Sequence, residues 1–142
     1  MNKRAFLLAL LTAIFWGVPP LFDKMALGTI SNPLLAVAIR SLAITIASFG
    51  ILAGMGDMAS LSNLTWENTI LLLSGGMLAG LFGLWTYFEA IRYGEASSVA
   101  SITAIYPAVT FILALLLLSE SLSWEKILGI IFVIVGVILI ER

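Results

Sequence analysis

The sequence predicts an all-α polytopic membrane protein of five transmembrane helices, and three observations predict it. Hydrophobic residues make up 61% of the 142 positions and charged residues only 11%, well outside the balance of a water-soluble domain. The apolar residues fall into five runs that cross or nearly cross a ~30 Å hydrocarbon core at a rise of ~1.5 Å per residue. The few charges stand almost entirely at the ends of those runs, where side chains reach water. The spans are placed at about 5–22, 33–53, 66–91, 96–119 and 124–140, in one domain over 1–142 with no internal repeat, linker or low-complexity segment.

Lys3 and Arg4 precede the uncharged stretch Ala5 to Phe22, an order that a secretory leader also has. No small-x-small site ends the run and four more spans follow, so it is read as span one. Pro19-Pro20 is expected to bend or loosen this helix near its far end, with Asp23-Lys24 marking the exit to the interface and 29 as its furthest limit. Asn32-Pro33 starts span two, the amide side chain capping the helix and the proline occupying a position where its missing N–H costs nothing. Gly54 to Asn63 forms a loop. Thr65 then caps span three, with Glu67 in its first turn favourably placed against the helix dipole. Gly76, Gly80 and Gly83 are expected to let a neighbouring backbone approach closely.

Span four is the clearest, since no residue from Ala96 to Ser119 is charged. Pro107 lies near its middle, where it removes one backbone donor and leaves the Thr103 carbonyl without its usual partner. In lipid such a group must find protein or water. Ala96, Ala100, Ala104 and Ala108 form a narrow ridge for a second helix. Span five is the shortest, with Ile127 to Ile140 apolar between the Trp124 anchor and Glu141-Arg142. It offers no polar group, only Gly129 and Gly136 on one face, and is placed outside the substrate path as a dimer contact. Five spans put the two termini on opposite sides of the membrane.

The chain has no Cys and no His, which excludes thiol chemistry and removes the commonest base and metal ligand. No hydrolytic, phosphate-binding or metal-binding motif is present, so neither enzyme activity nor a cofactor is expected. A net charge of −1 without a basic cluster gives nucleic acid no footprint. Arg40 lies roughly 10 Å along span two from Pro33. It either snorkels to the headgroups or pairs structurally, or it faces a wet cavity and meets an anionic or polar substrate group. Glu89, near the same membrane face, is positioned to pair with it across helices, which would favour a gate. Glu120 ends span four, where the dipole disfavours a carboxylate unless the next helix's free amides are in reach. It is read as a corner lock with Ser123 or Lys126 rather than a substrate contact. Trp85 and Tyr87 fit belt or packing roles. Trp16 and Tyr106 are read as cavity-lining, because each lies beside a helix irregularity, Gly17 to Pro20 and Pro107, and broken helices near the midplane are where transporters build binding sites.

The string Tyr87-Phe88-Glu89-Ala90-Ile91-Arg92-Tyr93-Gly94, then Ala96-Ser97-Ser98-Val99-Ala100, then Tyr106-Pro107 ahead of a leucine run ending Ser119-Glu120-Ser121-Leu122-Ser123, resembles the EamA-type repeat of the drug/metabolite transporter superfamily. Leu128-Gly129 and Val135-Gly136-Val137, and earlier Phe15-Trp16-Gly17 and Asn32-Pro33 with Arg40, fit the same repeat, which covers essentially the whole chain. The sequence departs from it at Pro19-Pro20, at Ser119, where a glycine usually precedes the glutamate, and at Ser121, where a basic residue usually follows it. The resemblance implies a multi-pass carrier of the cell membrane that moves a small metabolite or drug-like solute by alternating access, and that the position of Glu120 matters in the family. The alternative from another class is a non-transporting membrane subunit or assembly scaffold, whose Gly/Ala ridges would bind partner helices.

Family members commonly hold two such five-span repeats, successive copies being inverted. This chain holds one, so the working unit is expected to be a homodimer with its copies inserted in opposite orientations, the alternatives being a parallel dimer, a different partner chain or a monomer. Lys3, Arg4 and Lys126 on one side against Lys24, Arg92 and Arg142 on the other leave almost no orientation preference, Arg40 set aside. Counting Arg40 with its side would tilt that balance. The expected substrate path comprises Trp16, Arg40, Glu89, Thr103, Tyr106 and Pro107.

Overall fold

The computed structural model describes residues 2–119, 121 and 123–140, which contain helices and no strand. The chain divides into two compact units, residues 1–24 with 93–142 and residues 25–92.

In the first unit, α1 (Lys3–Gly17) begins where the Asn2 side chain accepts the Arg4 N–H at 3.1 Å. It stops at Gly17, and α2 (Pro19–Leu27), whose last residues belong to the second unit, restarts at once. The cause is local. Pro19 and Pro20 carry no N–H, so the carbonyls of Phe15 and Trp16 cannot receive the bond that residues four ahead would supply. Val18 keeps helical dihedrals (φ −81°, ψ −45°), so the chain kinks without turning back. The two helices together form one span, Lys3–Leu27, longer than the expected 5–22 and within its furthest limit.

The second interruption separates α6 (Ala96–Thr103) from α7 (Tyr106–Leu117). The bend expected at Pro107 falls instead at Ala104 and Ile105. The Ala104 N–H is shared between the carbonyls of Ala100 and Ser101 (3.2 and 3.1 Å) and the Ile105 N–H bonds to Ile102 (3.1 Å), which tightens the winding to 3₁₀ spacing. Pro107 thereby enters the first turn of α7, where its missing N–H costs nothing. The span expected to reach 119 ends at Leu117, because Ser119 takes a left-handed φ of 53°. After the turn, the Ser123 hydroxyl accepts the Lys126 N–H at 3.3 Å and α8 (Trp124–Ile140) packs on α6.

In the second unit, α3 (Pro33–Gly54) starts as expected, with Asn32 Oδ1 accepting the Leu34 N–H at 3.0 Å and Pro33 in the first turn. It ends in a Schellman motif: Gly56 has φ 71° and bonds its N–H to Ala53 (3.1 Å), and the Asp57 N–H reaches Leu52 (3.0 Å). A 3₁₀ helix (Met58–Asn63) leads to α4 (Trp66–Gly75), capped by Thr65, whose hydroxyl accepts the Asn68 N–H at 3.2 Å. From Gly76 to Gly83 the winding widens to a π-helix before α5 (Leu84–Tyr93), and α3 packs against this π segment. No neighbouring element comes within 4 Å of where a Cβ would sit on Gly76 or Gly80. At Gly83 the close atom is the Leu78 carbonyl oxygen of the same span, 3.1 Å away. Among the described residues of this unit the expected close approach of a neighbour is therefore not made, and the glycine at 83 serves the wide turn itself.

Among the described residues four helical segments are long and apolar enough to cross a membrane: Lys3–Leu27, Pro33–Gly54, Trp66–Tyr93 and Ala96–Leu117. The expected fifth span is present as α8, but its 17 residues rise only about 26 Å, so by length the count is four spans and a shorter helix rather than five. Its first turn is spent on Glu125 and Lys126, which leaves Ile127 to Ile140 as the apolar part. Few side chains are buried within the chain, chiefly Leu27, Val37, Phe88, Ile91, Val99, Ala114 and Val137. The remaining apolar surface faces outward along the spans, as lipid or a partner helix requires.

Candidate functional site

Both interruptions of the first unit carry an aromatic residue, and the fold brings the two together. Trp16, one residue before the end of α1, meets Tyr106, the first residue of α7, edge-on with ring centroids 6.2 Å apart and planes at 60°. This is a favoured arrangement, because the positive edge of one ring meets the negative face of the other. Both rings remain more than half exposed. Pro107 stands beside the pair. Thr103 ends α6 on the other side of the break, its hydroxyl bonded back to the Ala100 carbonyl at 2.8 Å. Thr12, one turn before Trp16, donates to Leu8 (2.9 Å), and Thr110, one turn after Tyr106, donates to the Tyr106 carbonyl (3.2 Å). Four of the six residues expected along a substrate path, Trp16, Thr103, Tyr106 and Pro107, thus lie at or beside these two breaks.

Arg40 and Glu89 belong to the second unit. The Arg40 guanidinium carbon stands 5.3 Å from the ring centroid of Phe88, within cation–π range. Phe88 is itself 2% exposed, which fixes the ring it offers. The Glu89 carboxylate bridges Arg92, one turn along its own helix, at 3.5 Å. Glu120 lies outside the described residues. Among the described residues of this unit, nothing comes within 4 Å of a Cβ built on Gly129 or Gly136.

Sequence reasoning missed two features. Asp23, expected to mark the exit to the interface, is buried at 9% exposure on the face of α2 that also buries Pro20. An acidic residue four positions inside the end of a 25-residue apolar helix was the available signal. The ammonium of Lys24 donates to the Gly94 carbonyl at 2.7 Å, which no pattern along the chain foretells. Among the described residues no group of three or more acidic side chains comes together.

Four apolar helices long enough to cross a bilayer, among the described residues, define an integral membrane protein. The chain belongs to the EamA-like transporter family, whose profile matches residues 3–142. It is 29% identical over 140 residues to an uncharacterized protein of Methanocaldococcus jannaschii, covering 96% of each chain. It is 28% identical over 132 residues to an uncharacterized transporter of Sinorhizobium, covering 93% of this chain and 92% of that one. An uncharacterized transporter of Archaeoglobus fulgidus is 29% identical over 146 residues, but those cover 99% of this chain and only 48% of the relative. No solved structure matches.

Proposed function

We infer that the protein is a carrier of the cell membrane for a small metabolite or drug-like solute, working by alternating access as a homodimer of inverted copies. The observation that carries this reading is the pairing of Trp16 with Tyr106 at two helix breaks, because discontinuous helices are where carriers place their sites. The dimer has separate support. The chain corresponds to the full length of some relatives and to about half of the Archaeoglobus transporter, so one copy supplies half of what a doubled relative contains. Inverted insertion requires weak orientation signals, and with the short α8 read as a fifth crossing the basic residues divide three against three, Arg40 set aside.

Purified protein in liposomes tests the carrier reading: saturable solute flux without any added subunit is expected, and its absence across metabolite and drug libraries rejects it. Reporters fused to the C-terminus test the dimer. Signal from both sides of the membrane is expected, and signal from one side alone rules out inverted copies.

A further inference from the structure

We propose that the Trp16–Tyr106 pair is the floor of a subsite for an organic ammonium group; this rests on the carrier reading and names the class of solute it takes. In the first unit, acceptors outnumber donors around the two rings. Pro19, Pro20 and Pro107 supply no N–H, so the carbonyls of Phe15, Trp16 and Thr103 are all deprived of their helical partner at the level of the two rings. A hydroxyl has one hydrogen and two lone pairs. Thr12 and Thr110 each spend that hydrogen on a carbonyl of their own helix, and what they present sideways is lone pairs. The exposed ring faces of Trp16 and Tyr106 add the negative side of two quadrupoles.

The two threonines also stand at one level. Spans one and four are separated by two spans, so they cross in opposite directions, and one turn back from Trp16 and one turn on from Tyr106 move the same way along the membrane normal. Against these acceptors stands the Tyr106 hydroxyl proton, and no lysine or arginine occurs from Ala5 to Phe22 or from Ala96 to Leu117. Neither stretch supplies a carboxylate or phosphate with a counter-charge. An ammonium finds carbonyl oxygens, hydroxyl lone pairs and ring faces, which together can replace its hydration shell.

The test uses the full chain in lipid nanodiscs with three probes of one shape: 2-phenylethylammonium, the neutral 2-phenylethanol and the anionic 3-phenylpropanoate. Binding is read by quenching of Trp16 fluorescence in a W66F/W85F/W124F background and, in the native chain, by calorimetry. The cation is expected to bind about tenfold tighter than either other probe. Trp16→Leu or Tyr106→Leu should weaken cation binding about tenfold, whereas Tyr106→Phe, which keeps the ring face, should retain it. Equal or tighter binding of the alcohol or the anion overturns the proposal, as does cation binding that is unmeasurable or indifferent to both leucine variants. Helical circular dichroism of each variant separates a lost site from a lost fold. Flux in liposomes without cation preference rejects the subsite and leaves the carrier; cation binding at Trp16 without flux does the reverse.

Discussion

The ammonium of Lys24 donates a 2.7 Å hydrogen bond to the main-chain carbonyl of Gly94, 70 residues along the chain. It ties the far half of span one to the joint from which span four departs. Lys24→Met keeps the length of the stem and removes the donor. The expected result is a loss of about 1 kcal/mol of stability, modest because the bond is exposed, and faster amide exchange around Gly94. Hydrogen exchange read by mass spectrometry in nanodiscs checks it, and unchanged exchange at the joint would show that the bond holds nothing.

Arg40 stacks on a ring that is itself fixed, so its planar group should matter as well as its charge. Arg40→Ala is expected to lower flux at least ~tenfold at normal membrane abundance, and Arg40→Lys to be impaired in the same direction. Phe88→Leu should reproduce part of the lysine defect. Full activity of Arg40→Ala would place the residue outside the mechanism.

Pro107 keeps the Thr103 carbonyl from its helical partner, and Pro107→Ala would restore a donor at that position. A stable protein with slower flux is expected, since α6 and α7 could then wind as one helix. Unchanged kinetics would assign the proline to packing.

Ser119 is the one described non-glycine residue with positive φ, 53°. A left-handed residue with a Cβ costs ~1–2 kcal/mol, so Ser119→Gly should raise the thermal midpoint. At the end of α3, Gly56 holds φ 71° with open space around it, and Gly56→Ala should lower the midpoint by a similar energy through backbone strain alone. Thermal unfolding in one detergent compares both variants, and a Ser119→Gly protein no more stable than the parent contradicts the assignment.

The features legible in the sequence are those decided within one turn of chain. Asn32-Pro33 and Thr65 cap the helices expected of them, because an N-cap is a contact between residues two or three apart. The prolines announce that spans one and four are interrupted, though the break in span four lies at Ala104 and Ile105, before the proline rather than at it. The burial of Asp23, the reach of Lys24 and the meeting of Trp16 with Tyr106 depend on neighbours far away in sequence, which periodicity does not encode. The bounds of α8 match those predicted, and its shortness is legible too, since only Ile127 to Ile140 follows the charged first turn.

The π segment from Gly76 to Gly83 changes the phase of span three. Its last turn carries the Leu84 N–H to the Ala79 carbonyl, five residues back, so the stretch holds about one residue more than α winding needs. Each surplus residue turns the downstream helix by ~100°, and a helical wheel drawn continuously through Trp66–Tyr93 therefore assigns α5 to the wrong side. Deleting one residue between Met77 and Phe82 would let the stretch relax to ordinary α spacing while α4 and α5 keep their facings. Span three thus has a built-in site for single-residue length change, where a deletion elsewhere in it would rotate Phe88 and Ile91 out of the places they bury.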